Sequence, residues 1–246
     1  MDEKYRVLNR DAIKYIAIVT MVLNHISTIF MKTGTVLGEI FLDIGYFTAV
    51  TMCYFLVEGF QYTHSKKKYG IRLGIFALVS ELPYCLAFTE KGVMEFCGMN
   101  MLFTLFLCFL ILLAKEKIGD PFGKNLIIAG LLFLSCFSDW AVLAPVFTLL
   151  FSWAKGSKDR LKTAFTAAAV IFGVINFAGG AGRFPVSVNL LYALGSIVGI
   201  IASGFVIIRL YNGKRMEKGR NFSKWFFYWF YPAHLLILGV MRICLH

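Results

Sequence analysis

The sequence predicts an all-α protein: a polytopic membrane helix bundle of about nine transmembrane helices, N-terminus in and C-terminus out, forming one integral-membrane domain over 1–246. Three observations lead there. Of the 246 residues, 59% are hydrophobic and only 16% are charged, with a mean hydropathy of +0.72. A soluble domain carries about 45–50% apolar and about a quarter charged residues, so an ordinary globular enzyme and a disordered chain are both excluded. Apolar runs approaching the roughly 20 residues of a spanning helix recur along the whole chain. The basic residues, finally, gather in alternate loops.

The first run, about 12–31, follows Lys4, Arg6, Arg10 and Lys14. Asn24 and His25 interrupt it and no small-x-small cleavage site follows, so it reads as a retained helix rather than a signal peptide. Runs at 38–60 and 70–88 flank Lys66, Lys67, Lys68 and Arg72. The run at 99–114 leads into Lys115, Lys117 and Lys124, and runs at 125–139 and 141–154 are parted only by Asp139 and Trp140. Next come 163–179, preceded by Lys155, Lys158, Arg160 and Lys162, then 187–208 and 225–244, separated by six further basic residues. Nine alternating passes put 21 of the 25 Lys and Arg on the cytoplasmic side and leave Lys32, Lys91, Arg183 and Arg242 outside. Fusing the fifth and sixth runs would break that alternation, so the positive-inside rule favours nine passes and a multi-pass protein of the cytoplasmic membrane.

The net charge of +11 is therefore orientation plus attraction to anionic lipid, not a nucleic-acid surface. The six cysteines fit neither a disulfide framework nor a metal site and read as packing residues; Cys97 and Cys244 fall toward the outer face, where a bridge between them is conceivable. No metal is expected.

Ionisable groups inside lipid are costly, so each one marks a candidate site. The candidates are His25, Asp43, Glu58, Glu81 and His234, with Asn24, Asn100, Asn176 and Asn189 beside them. His25 reads equally as a hydrogen-bonded structural histidine or a proton-transfer group. His234 lies one turn from Tyr231. Glu58 continues a polar stripe from Thr51 and Tyr54, and pairing with Arg72 is its structural alternative. Glu81 is expected to be protonated or paired. The Lys66, Lys67, Lys68, Tyr69 and Arg72 cluster serves either orientation alone or anion binding near a helix N-terminus. The aromatic run from Trp225 to Tyr231 reads mostly as an interfacial belt.

The segments Ile13 to His25, Phe55 to Phe60, Tyr69 to Leu73, Ser80 to Pro83, Asn100 to Thr104 and Tyr231 to Leu235 occur in an order that resembles the TraX family. That family is named for a conjugation-related protein that acetylates pilin and is related to multi-helix membrane acyltransferases. The resemblance implies an acetyl-CoA-dependent N- or O-acetyltransferase with His25 as the catalytic residue. Where relatives commonly carry Asp-His, this chain has Asn24-His25, and Tyr46 stands where many carry arginine. The resulting expectation is that Lys66, Lys67, Lys68, Tyr69 and Arg72 hold the phosphates of acetyl-CoA and that His25 acts as base or carries the acetyl group itself. Asn24, Glu58 and His234 would assist catalysis, while Glu81, Asn100 and Tyr231 would position the substrate, Asn100 as a donor to the thioester oxyanion. The acceptor is a peptide N-terminus, a glycan or a lipid. The alternative class is a small proton-coupled transporter built on the same buried acidic and histidine residues.

Overall fold

The computed structural model describes residues 5–245; Lys4, counted above among the inner charges, lies outside the described residues. Nine α-helices occupy them: α1 (Arg10–Phe30), α2 (Val36–Tyr62), α3 (Lys66–Phe88), α4 (Met101–Lys117), α5 (Pro121–Ser135), α6 (Leu143–Trp153), α7 (Lys158–Gly180), α8 (Val186–Phe205) and α9 (Arg220–Leu245), with a π-helical turn at Val206–Leu210. Strand content among the described residues is limited to two isolated bridges. Six helices, α1, α2, α3, α7, α8 extended by its π turn, and α9, are long and apolar enough to cross a membrane, so this is an all-helical, multi-pass membrane protein. α4, α5 and α6 are shorter, at 17, 15 and 11 residues.

The helix starts are written in the sequence as side-chain caps. Asn9, Ser65, Asn100, Asp120 and Ser157 each accept a backbone N–H from the first turn of the helix that follows. Such a cap satisfies one of the donors that a helix N-terminus leaves orphaned. These caps begin α3, α5 and α7 four or five residues before the apolar runs do, because the capped first turns are polar. The fifth and sixth helices are separate, as expected, but α5 ends at Ser135 and α6 begins at Leu143. Asp139 and Trp140 therefore lie in a turn, and Trp140 takes a φ of 55°.

The chain divides into two compact units, one built from the residues up to Met52 with Trp153–Ser223, the other from Cys53–Ser152 with the residues from Lys224 onward. In the first unit, α1 is tied to α2 by side chains reaching backbone carbonyls. Thr48 Oγ1 donates to Ala17 O at 2.6 Å, Asn24 Nδ2 to Leu42 O at 2.9 Å and Ser27 Oγ to Gly38 O at 2.8 Å. Small residues let backbones meet. A Cβ on Gly199 of α8 would strike the Asp43 carbonyl and come within 2.8 Å of Phe47 N, and one on Gly45 would overlap the Asn24 side chain. Without water to expel, such close van der Waals packing is what holds membrane helices together. The segment before α1 is stapled to the stretch after α8: Leu8 pairs with Tyr211, and the Asp11 carboxylate accepts from Met216 N at 3.0 Å and Ser223 Oγ at 2.5 Å.

In the second unit, the face of α3 meets α9. Phe76 stacks on Tyr228 at 4.9 Å and meets Trp229 edge-on at 5.1 Å, while Gly239 admits the Leu86 and Ala87 backbone to 3.0 Å of where a Cβ would sit. The aromatic run of α9 thus does more than form an interfacial belt. Part of it is packing surface, because α3 presents Phe76 to it.

Candidate functional site

The densest polar site lies in the second unit, at the start of α4. Three consecutive residues there each hold a different partner. Met99 O accepts from Asp139 N at 2.7 Å, Asn100 N donates to Glu81 Oε2 at 3.2 Å, and Met101 N donates to the Tyr231 hydroxyl at 3.2 Å. Asn100 is fully buried. Its Nδ2 donates to Glu81 Oε2 at 2.6 Å and Ala77 O at 2.7 Å, while its Oδ1 caps α4 by accepting from Leu102 N and Phe103 N. Thr104 Oγ1 adds a bond to Asp139 O at 2.5 Å, and the Asp139 carboxyl is within electrostatic reach of the Tyr84 and Tyr231 hydroxyls. The loop, the cap and the Glu81 carboxylate form one network.

The structure therefore brings together Glu81, Asn100 and Tyr231, all expected as substrate-positioning residues. It gives Asn100 different work from that of a free donor. The amide hydrogens are spent on Glu81 and Ala77 O and the carbonyl oxygen on starting α4, so the side chain has no donor left for a thioester oxygen. Glu81 is paired, with a neutral amide and a backbone N–H rather than a cation. Replacing Asn100 with alanine removes a helix cap and leaves the Glu81 carboxyl and the Ala77 carbonyl without their amide donor. We expect a loss of about 1–3 kcal/mol, read as a lower midpoint of thermal unfolding in detergent. An unchanged midpoint would contradict this description of Asn100.

His234 is buried, its ring stacked 5.1 Å from Phe230 and edge-on 5.6 Å from Tyr231. Its Nδ1 lies 2.9 Å from Phe230 O, one turn back in α9. In the Nδ1–H tautomer it donates there, which leaves Nε2 as an acceptor. Glu58 is half-buried in α2. The stripe proposed to lead to it is divided: Thr51 shares a 2.7 Å hydrogen bond with Ser203, and Tyr54 packs edge-on against Phe151 at 5.7 Å.

The basic cluster opens α3. Ser65 caps the helix by accepting from Lys68 N at 3.3 Å, so the cap and the cations share one turn. Lys66 is already paired with Glu116 at the end of α4 and lies 4.4 Å over the Phe60 ring. Lys67 and Lys68 are exposed. Arg72 lies 5.9 Å over the Tyr69 ring, and its Nε is buried without a hydrogen-bond partner. Two exposed ammonium groups and a guanidinium with an unused donor fit a phosphate-bearing ligand. Lys66 fits it less well, because binding would require giving up Glu116.

His25 and Asn24 belong to the first unit, both half-buried on α1. Neighbouring residues on a helix point about 100° apart. Asn24 turns toward α2, where its amide N–H is taken by Leu42 O and its Cβ rests on Gly45. One of its amide hydrogens is thus committed to fixing α1 against α2.

Sequence reasoning missed Asp139, Tyr84 and Glu116. Asp139 had a usable signal, a carboxyl between two apolar runs, which served only as a marker of their boundary. Tyr84 and the Lys66 to Glu116 pairing carry no local signal, since 50 residues separate that pair.

Comparison with known proteins places residues 9–242 in a match to the TraX protein family. A protein described as "Probable fimbrial assembly protein FimC, serogroup H1" from Dichelobacter nodosus is 30% identical over 238 residues, covering 92% of each chain. No solved structure matches significantly.

Proposed function

This chain belongs to the TraX protein family, and from that premise we propose that it is an acetyltransferase of the cytoplasmic membrane. It moves the acetyl group of cytoplasmic acetyl-CoA to an amine or hydroxyl acceptor at or beyond the membrane, as part of building a fimbria or pilus. The observation that carries this reading is the extent of the family match, from residue 9 to residue 242, which takes in every residue given a role below. The name of the Dichelobacter nodosus relative, a probable fimbrial assembly protein, supports the cellular setting.

In the proposed step the acceptor nitrogen or oxygen attacks the thioester carbonyl while the His25 imidazole takes its proton. The carbon–sulfur bond breaks, and that proton passes to the departing CoA thiolate. A base held at the reacting atom contributes about 10²–10⁴-fold. Lys67, Lys68 and Arg72 bind the phosphates of the donor, with Tyr69 supporting Arg72. Asn24 contributes by fixing the helix that carries His25. Glu58 and His234 remain in the proposal as proton-handling groups, and Glu81, Asn100 and Tyr231 as the network that sets the start of α4.

The test of the dock is kinetic. Replacing Lys67 and Lys68 with alanine is expected to raise the KM for acetyl-CoA by about tenfold while kcat changes less than about twofold, since each exposed charge contributes on the order of 1 kcal/mol or less. Unchanged KM would leave orientation in the membrane as the role of these lysines.

A further inference from the structure

Two of the cysteines, Cys85 and Cys97, flank a folded-back loop that follows α3. Cys85 lies in the last turn of α3 and is buried, whereas Cys97, twelve positions on, is exposed. The loop between them folds back on itself around one side chain. Thr89 Oγ1 donates to Cys85 O at 2.5 Å, accepts from Glu95 N at 2.8 Å and lies 3.8 Å from Cys97 Sγ. Arg242 clamps the same loop from α9, donating to Leu86 O at 3.1 Å, Gly92 O at 3.2 Å and Val93 O at 2.9 Å. The fold-back sets the Cys97 thiol against the hydroxyl that holds the Cys85 carbonyl. One threonine hydroxyl thus spans the two cysteines, and rotation about their Cα–Cβ bonds is the motion that joining the sulfurs requires.

We propose that Cys85 and Cys97 form a reversible disulfide that locks the α3–α4 loop. The alternation of basic loops puts this segment on the non-cytoplasmic side, where disulfides form and persist. The oxidant is a disulfide of a thiol–disulfide oxidoreductase or a small disulfide such as oxidised glutathione. The exposed Cys97 thiolate attacks one sulfur of that disulfide, releasing one thiol and leaving a mixed disulfide on Cys97. Cys85 then attacks the Cys97 sulfur and releases the second thiol. The two cysteines lose two protons and two electrons, and the external disulfide gains them as two thiols. Glu81 Oε1 lies 3.9 Å from Cys85 Sγ and takes the Cys85 proton in the second step, passing it to the released thiolate. That contact also makes the bond consequential, because Glu81 holds Asn100 and with it the start of α4. The inference does not depend on the acetyltransferase reading.

The full-length protein is incubated in detergent with oxidised glutathione, unfolded in the presence of an alkylating reagent, digested without reductant and analysed by mass spectrometry. The expected result is a linked peptide pair joining Cys85 to Cys97, two fewer alkylated thiols and a chain mass lower by two hydrogens, all reversed by dithiothreitol. Cys97→Ser, at an exposed position, is expected to abolish the link, and Cys244→Ser to leave it unchanged. Alkylation of both Cys85 and Cys97 after oxidation, glutathione retained on Cys97, or a link from Cys97 to Cys244 would each overturn the proposal.

Discussion

Gly199→Ala is expected to lower the stability of the protein by about 3 kcal/mol, at the upper end of what overpacking a core commonly costs. The added methyl meets backbone, not a movable side chain: the Asp43 carbonyl, Phe47 N and the Tyr46 carbonyl carbon of α2 all lie within 3.2 Å of it. No rotamer change relieves the collision. α8 must back away from α2, and the packing around Thr51 and Ser203, both fully buried, is stretched with it. Gly130→Ala is the matched control, since nothing lies within 4 Å of that position on α5. Thermal unfolding in the same detergent should show a fall for the first variant and no fall for the second. Equal midpoints would mean that α2 and α8 do not meet at Gly199.

His25→Ala is expected to abolish acetyl transfer, with kcat falling about 10²–10⁴-fold, while binding of acetyl-CoA and the unfolding midpoint stay close to wild type. The second half of that expectation separates a catalytic from a structural histidine. His25 is half-buried on α1. Asn24→Ala should behave in the opposite way. It loses the bond to Leu42 O and its contact with Gly45, so stability falls first and activity follows. A His25→Ala variant that unfolds as readily as Asn24→Ala would make His25 a packing residue.

The helices were legible because apolar runs and polar caps are local signals. α1 begins two residues from its expected start, and even the narrow gap between α5 and α6 could be placed from charge alternation. The clusters were only partly legible. Glu81, Asn100 and Tyr231 stood out singly as polar residues in apolar runs, yet what joins them is the backbone at the start of α4, which no spacing rule encodes. For the same reason Asn100 read as a free donor although its capacity is spent on Glu81, Ala77 and the cap. Lys66 read as part of a phosphate dock although Glu116 claims it across 50 residues. Cys85 read as packing because its neighbour in space is set by a fold-back around Thr89, and a loop of that kind leaves no periodic trace.

Use of acetyl-CoA is reached most directly by one measurement. The purified protein, reconstituted in lipid vesicles, is supplied on the cytoplasmic face with acetyl-CoA labelled in the acetyl group together with a fimbrial or pilin preparation. Release of free CoA with covalent transfer of label to the acceptor, lost in His25→Ala, is the predicted result. Neither binding nor transfer from acetyl-CoA, combined with solute flux across the vesicle membrane in its absence, would contradict the claim and favour a transporter.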